Sequence, residues 1–183
     1  NHKFEYIDLG GGMGISYADN NKKLNYKRYN LAIKKILKNY KVKIIFEPGR
    51  CIIGNTGFLI SKIIYIKPNE KKDFVILDTG MNDLMRPALY GAQHKILPSI
   101  KNNKKSKKIY EFVGPICEST DRFKSIKNYQ ELNEKDFVAL CDVGAYGMSL
   151  SSNYNARPKP IEILIKGSKI KVIKKRQKHI DLI

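Results

Sequence analysis

The sequence predicts an α/β segment followed by an all-β domain, with the boundary near Gly54-Asn55. Two observations carry this. Up to Arg50 the chain reads as strand, glycine loop, amphipathic helix, strand and charged loop, the grammar of a parallel sheet or barrel. Beyond Cys51 it breaks into short β-branched runs separated by polar turns, with no helical stripe between them. A hydrophobic content of 42% over 183 residues is ample for a core.

Residues 4–9 form a short apolar run that enters Gly10-Gly11-Gly12-Met13-Gly14, so a strand is expected to feed a glycine loop. Consecutive glycines allow positive φ and close approach, and their N–H groups can converge on an anion. No helix opens directly after them: residues 15–23 read as a turn, which leaves an ordinary loop as an equal reading. Residues 24–40 carry Tyr29, Ala32, Ile33, Ile36, Leu37 and Tyr40 at helical spacing with lysines opposite, predicting an amphipathic helix. Residues 42–46 predict a buried strand ending in Glu47-Pro48-Gly49-Arg50. Both loops then lie at strand C-terminal ends, where sites gather in such folds.

In the second part, residues 58–66, 74–77, 137–141, 161–165 and 170–173 predict strands. Lys166-Gly167-Ser168-Lys169 predicts a tight hairpin turn with Gly167 at positive φ. Two segments interrupt this pattern. Pro87 suits the first turn of a helix, which puts Arg86 and Tyr90 about one turn apart on a shared face, an arrangement that suits a carboxylate. Gly144-Ala145-Tyr146-Gly147 is a glycine-flanked loop exposing an aromatic. Each can also be a connection with a packed Tyr.

The net charge of +18, from 35 Lys and Arg against 17 Asp and Glu, would favour nucleic acid or an anionic surface if it clustered. Its two dense stretches read instead as a solvated loop, residues 101–108, and a strand with one wet face, residues 166–178. We therefore expect neither a nucleic-acid nor a membrane partner, and no apolar run is long enough to span a bilayer. Cys51, Cys117 and Cys141 are odd in number and lack metal-ligand spacing, which argues for a reducing compartment, the cytoplasm, and against a metal. The first residues show neither an initiator Met nor a signal-peptide pattern, so a longer parent chain is expected.

Gly114-Pro115-Ile116-Cys117-Glu118 presents a thiol and a carboxylate side by side on a Gly-Pro turn. Alone, that is either proton chemistry or a loop with a half-buried Cys and a solvated Glu. The order of the motifs decides between them. The glycine run, Glu47-Pro48-Gly49-Arg50, residues 78–90, residues 114–119, and residues 144–147 followed by Ser152-Asn153-Tyr154-Asn155 together resemble the diaminopimelate decarboxylases. These are pyridoxal-phosphate enzymes sharing the alanine-racemase fold.

The resemblance implies that residues 1–54 are the last strands of a (β/α)8 barrel and residues 55–183 a β-sandwich or barrel-like domain. It implies that Gly10, Gly11, Gly12, Pro48, Gly49 and Arg50 line the cofactor phosphate, with Glu47 facing the pyridine nitrogen. Cys117 would return a proton to the carbon that carbon dioxide leaves, and Tyr146 would touch cofactor and substrate. Diaminopimelate carries a second amino-acid head, so Arg50, Arg86 and Tyr90 would hold its distal carboxylate and Glu118 its distal ammonium. A homodimer with shared sites is also implied. The family's cofactor-bearing lysine has no counterpart here, and Thr120 stands where the family has Gly. Decarboxylases of ornithine, arginine or carboxylated polyamines, and a cofactor-binding pseudoenzyme, are the alternatives.

Overall fold

A computed structural model describes residues 3–17 and 24–183. The first strand, β1 (Tyr6–Asp8), pairs in parallel with β2 (Lys43–Ile45), Tyr6 opposite Lys43 and Asp8 opposite Ile45. Between them lies α1 (Tyr26–Leu37), started by Asn25, whose side chain accepts the Arg28 N–H at 3.0 Å. Its predicted stripe is real but only partly covered: Tyr29, Ile33 and Leu37 are half-buried, and Tyr29 meets Phe46 at 6.2 Å between ring centroids. Much of the turn expected over residues 15–23 lies outside the described residues.

A short helix, α2 (Arg50–Ile53), and a 3-10 turn (Gly54–Thr56) lead into the long β3 (Phe58–Lys67). β4 (Lys72–Leu77), α3 (Arg86–Tyr90), β5 (Ile96–Pro98), β6 (Ile109–Val113), β7 (Arg122–Ile126) and β8 (Phe137–Cys141) follow. The six strands form one mixed sheet in the order β5-β8-β3-β4-β6-β7. All neighbours are antiparallel except β4 and β6, which run parallel because α3, β5 and a long loop intervene between them. α3 is the helical interruption of the β pattern that Pro87 predicted, with Pro87 in its first turn.

Alternating residues place Ile63, Val75, Leu77, Tyr110, Phe112, Phe123, Val138 and Leu140 on the buried face, closed by Leu84, Ile96, Tyr129 and Leu132. The aromatic cluster Tyr110, Phe112 and Tyr129 packs edge to face. Glu111, between the core residues Tyr110 and Phe112 on β6, is a buried carboxylate. It is ion-paired to Lys72 and to Arg122, the cross-sheet arrangement that lets a charge sit there.

β9 (Glu162–Lys166) and β10 (Lys169–Lys174) form a separate hairpin with Lys166 opposite Lys169 and Gly167 at φ 60°, as the turn residues predicted. All three cysteines are free. Among the described residues, no helix is long and apolar enough to cross a membrane.

Candidate active site

Because β1 and β2 are parallel, their C-terminal ends emerge on one side. Pairing continues past the strands, with the Leu9 N–H on the Ile45 carbonyl at 3.0 Å and the Glu47 N–H on the Gly10 carbonyl at 2.9 Å. These two bonds lay the glycine loop beside Glu47-Pro48-Gly49-Arg50. Gly10 and Gly12 have φ of 65° and 79°, and nothing lies within 4 Å of where their Cβ atoms would be. Gly11 differs: a Cβ there would come 2.7 Å from the Glu47 carbonyl oxygen. Glu47, Pro48 and Gly49 are exposed, and Arg50 is half-buried at the start of α2.

A second cluster forms around Arg86, which is only 8% exposed. Its guanidinium carbon lies 5.0 Å from the ring centroid of Tyr17, 5.4 Å from that of Tyr90 and 5.5 Å from that of Tyr146. Tyr90 reaches it one helical turn away, as the spacing predicted. Tyr146 arrives from the loop after β8 with φ at 60°, a left-handed conformation costing a non-glycine residue about 1–3 kcal/mol. That loop is seated by a close crossing: the Gly144 N–H donates to the Gly54 carbonyl and the Val143 N–H to the Gly57 carbonyl, both at 3.0 Å.

Tyr17 bridges this cluster to His94, their rings 4.9 Å apart and close to edge-on. His94 is fully enclosed, and its Nδ1 lies 2.8 Å from the Cys141 carbonyl oxygen. A carbonyl only accepts, so Nδ1 carries the proton and Nε2 presents a lone pair. Burial, with Arg86 adding to it, pushes the His94 pKa below its ordinary value, while the Cys141 carbonyl and Asp142 act against the shift. Among the described residues, three buried polar atoms here have no hydrogen-bond partner: Tyr17 Oη, Arg86 Nε and His94 Nε2. Arg86 Nε is a donor with no acceptor, a group that costs free energy until an acceptor arrives.

Cys117 and Glu118 lie exposed on the loop between β6 and β7. The Tyr154 hydroxyl donates to Glu118 Oε1, and this bond and the carboxylate's charge raise the Tyr154 pKa. Beside them the buried Asn82 accepts from Arg157 Nε at 3.1 Å, and Arg157 Nη2 donates to the Asp78 carbonyl.

The structure therefore brings together two sets of expected residues: Gly10, Gly11 and Gly12 with Glu47, and Arg86 with Tyr90 and Tyr146. Among the described residues, no hydrogen bond or ion pair joins Cys117 or Glu118 to either set. Tyr17, His94, Asn82, Asp121 and Arg157 escaped the sequence reading as site residues. For Asn82, Asp121 and Arg157 a signal existed, since they stand beside or inside stretches already singled out. Tyr17 and His94 stand in turn-like segments whose partners come from elsewhere in the chain.

Residues 14–144 match the family described as pyridoxal-dependent decarboxylase, C-terminal sheet domain. A diaminopimelate decarboxylase of Haemophilus influenzae is 42% identical over 94% of this chain and 41% of its own length. One from Aquifex aeolicus is 39% identical over 96% of this chain and likewise 41% of its own. Among solved structures, diaminopimelate decarboxylase from Helicobacter pylori complexed with L-lysine superposes with a TM-score of 0.85 at 42% identity, covering 97% of this chain and 43% of that one. The chain thus spans about two-fifths of the length of the relatives it matches. By the extent of the family match, the chain belongs to the pyridoxal-dependent decarboxylases.

Proposed function

We propose that this chain forms part of an enzyme that removes carbon dioxide from meso-2,6-diaminopimelate to give L-lysine. The observation that carries the reading is the buried guanidinium of Arg86, walled by the rings of Tyr17, Tyr90 and Tyr146 and keeping one donor without a partner among the described residues. A planar fork of that kind calls for a carboxylate. Diaminopimelate offers one at its far end, whereas ornithine and arginine end in cations and would leave Arg86 unpaired against a like charge.

Pyridoxal phosphate is the cofactor of the family, and the glycine loop suits its phosphate. Gly10 and Gly12 turn their open Cα faces outward in conformations that leave the backbone approachable, so N–H groups can meet an anion. Gly10, Gly11, Gly12 and Arg50 would hold the phosphate, with Pro48 and Gly49 shaping the turn and Glu47 set to keep the pyridine nitrogen protonated. The bound cofactor supplies the electron sink that decarboxylation requires. The chain's own groups do the rest. Cys117 Sγ holds the proton delivered to the carbon that carbon dioxide has left. Glu118, steadied by Tyr154, takes the distal ammonium, and Tyr146 lies between cofactor and substrate.

In this reading residues 1–54 are the closing strands of a (β/α)8 barrel and residues 55–183 a β domain bearing the substrate loops. Cys117 and Glu118 serve the site of a second subunit in a cytoplasmic homodimer. Three of the expected substrate groups, Arg86, Tyr90 and Tyr146, meet within one protomer, while among the described residues no hydrogen bond or ion pair joins Cys117 or Glu118 to them, which leaves those two free to serve a partner's site.

The test is a chimera in which this chain replaces the matching two-fifths of the H. influenzae relative. Supplied with pyridoxal phosphate, it should release lysine from diaminopimelate and no diamine from ornithine. Comparable turnover of ornithine would overturn the substrate assignment. The 183-residue chain by itself should show no decarboxylation, because no residue here matches the family's cofactor-bearing lysine, and lysine release by the purified chain would refute that.

A further inference from the structure

The Cys117–Glu118 loop is exposed, and among the described residues no hydrogen bond holds its thiol. What fixes the loop lies four residues on. Asp121 is 2% exposed, and both its carboxylate oxygens are committed. Oδ2 accepts the N–H of Ile116, next to the cysteine, and Oδ1 accepts the N–H of Met81 in the turn between β4 and α3, each at 2.7 Å. The main chain of Asp121 closes the loop on itself: its N–H donates to the Glu118 carbonyl at 3.0 Å and its carbonyl accepts from Gly114 at 2.9 Å.

Gly114 makes this possible, because a Cβ at that position would fall inside the Asp121 carboxylate. Burial raises the Asp121 pKa, opposed by the two backbone donors and by Arg157. The turn it grips is rigid in its own right. Gly80 and Asp83 are linked through the Gly80 N–H and Asp83 Oδ2 at 3.0 Å, and Asn82 is fully buried against Arg157. The exposed thiol loop is in this way tied to the turn between β4 and α3 by one side chain with two charge-assisted bonds.

We infer that Asp121 is a positioning residue, a clasp that holds the Cys117–Glu118 loop on the turn between β4 and α3 and so sets where the Cys117 thiol is presented. The inference rests on the reading of Cys117 as the proton-bearing thiol. An isosteric amide cannot replace the carboxylate: Asn offers one acceptor and turns an NH2 toward the second backbone donor.

The test uses the full 183-residue chain and needs no turnover. Asp121→Asn should speed amide hydrogen exchange at Met81 and Ile116 roughly tenfold or more, the scale of losing a hydrogen bond to a charged acceptor. Exchange at Phe112 and Val138 in the core should stay within about twofold, since their strands do not depend on the clasp. Alkylation of Cys117 by iodoacetamide, mapped by mass spectrometry with buried Cys141 as internal control, should accelerate roughly threefold or more as the thiol leaves its fixed place beside Glu118.

Gly114→Ala, which displaces the carboxylate but keeps its charge, should reproduce both effects. Unchanged exchange at Met81 and Ile116, or Cys117 alkylation within twofold of the parent in both variants, would overturn the proposal. Loss of protection throughout β6 and β8 would make Asp121 a general stability residue and overturn it as well. None of these readings depends on the substrate, so failure of the proposed decarboxylation would show separately, in the chimera.

Discussion

The guanidinium of Arg86 and the ring of Tyr17 lie 5.0 Å apart although 69 positions separate them in sequence. Tyr17 follows the glycine loop that is the candidate phosphate cradle, and Arg86 opens the helix that is the candidate carboxylate clamp. In the proposed reading this contact would set a substrate held by Arg86 against a cofactor held at Gly10 to Gly12.

Arg86→Ala in the chimera should lower kcat/KM for diaminopimelate by roughly a hundredfold or more, the cost of stranding a buried charged group's partner. Cofactor absorbance should be unchanged, because the phosphate cradle is a separate set of residues. Arg86→Lys should recover little of the loss, since an ammonium cannot reproduce the planar fork among three rings. Undiminished turnover would remove Arg86 from the substrate site.

His94→Gln tests a pH dependence. The folded-state pKa of His94 is depressed, so its contribution to stability is fully present above pH 6.5 and is lost as pH falls through the lower folded value. The groups facing it are Tyr17, Arg86, Asp142 and the Cys141 carbonyl. Urea unfolding of chain and variant between about pH 5 and 8 should show a stability gap that narrows on acidification, with a slope of at most about 1.4 kcal/mol per pH unit for one proton. A gap that is constant or widens toward acid would contradict the buried, neutral assignment.

Gly144→Ala should destabilise the chain by about 1–3 kcal/mol, read as a lower thermal midpoint. The added methyl would run into the Ile53 carbonyl and the Gly57 backbone, neither of which can swing aside as a side chain would. Gly49→Ala, with nothing within 4 Å of its Cβ position, should change stability by less than about 0.5 kcal/mol. Equal effects at the two positions would mean that the crossing at Gly144 is not tight.

Shared sites across a dimer predict complementation. A chimera carrying Cys117→Ala, mixed with one lacking the cofactor-bearing lysine, should regain activity although each is inactive alone. Random exchange of subunits gives half heterodimers with one intact site each, about a quarter of native activity. No recovery, with exchange confirmed by mass spectrometry, would place Cys117 in its own subunit's site.

The residues themselves determined what depends on short range. Apolar periodicity marked β1, α1, β2, β3, β4, β8 and the β9–β10 hairpin to within a few residues. Pro87 and the spacing of Arg86 and Tyr90 marked α3 and its shared face, because a helical turn brings such neighbours together whatever surrounds it. The ordered motifs marked the family.

Tertiary structure decided the rest. β5 and β7 are short, and β6 contains Glu111, which belongs in a buried strand only because Lys72 and Arg122 come to it from two other strands. The parallel pairing of β4 with β6 likewise follows from where the intervening chain can pack. Tyr17 and His94 joined the Arg86 cluster, and Asp121 met Met81, through contacts 40 to 77 positions apart; the sequence placed Asp121 beside a marked stretch, but no local pattern encodes those contacts. Burial creates such roles: a buried polar atom must find its partner wherever the fold supplies one, and the partner's position along the chain is free to be anywhere.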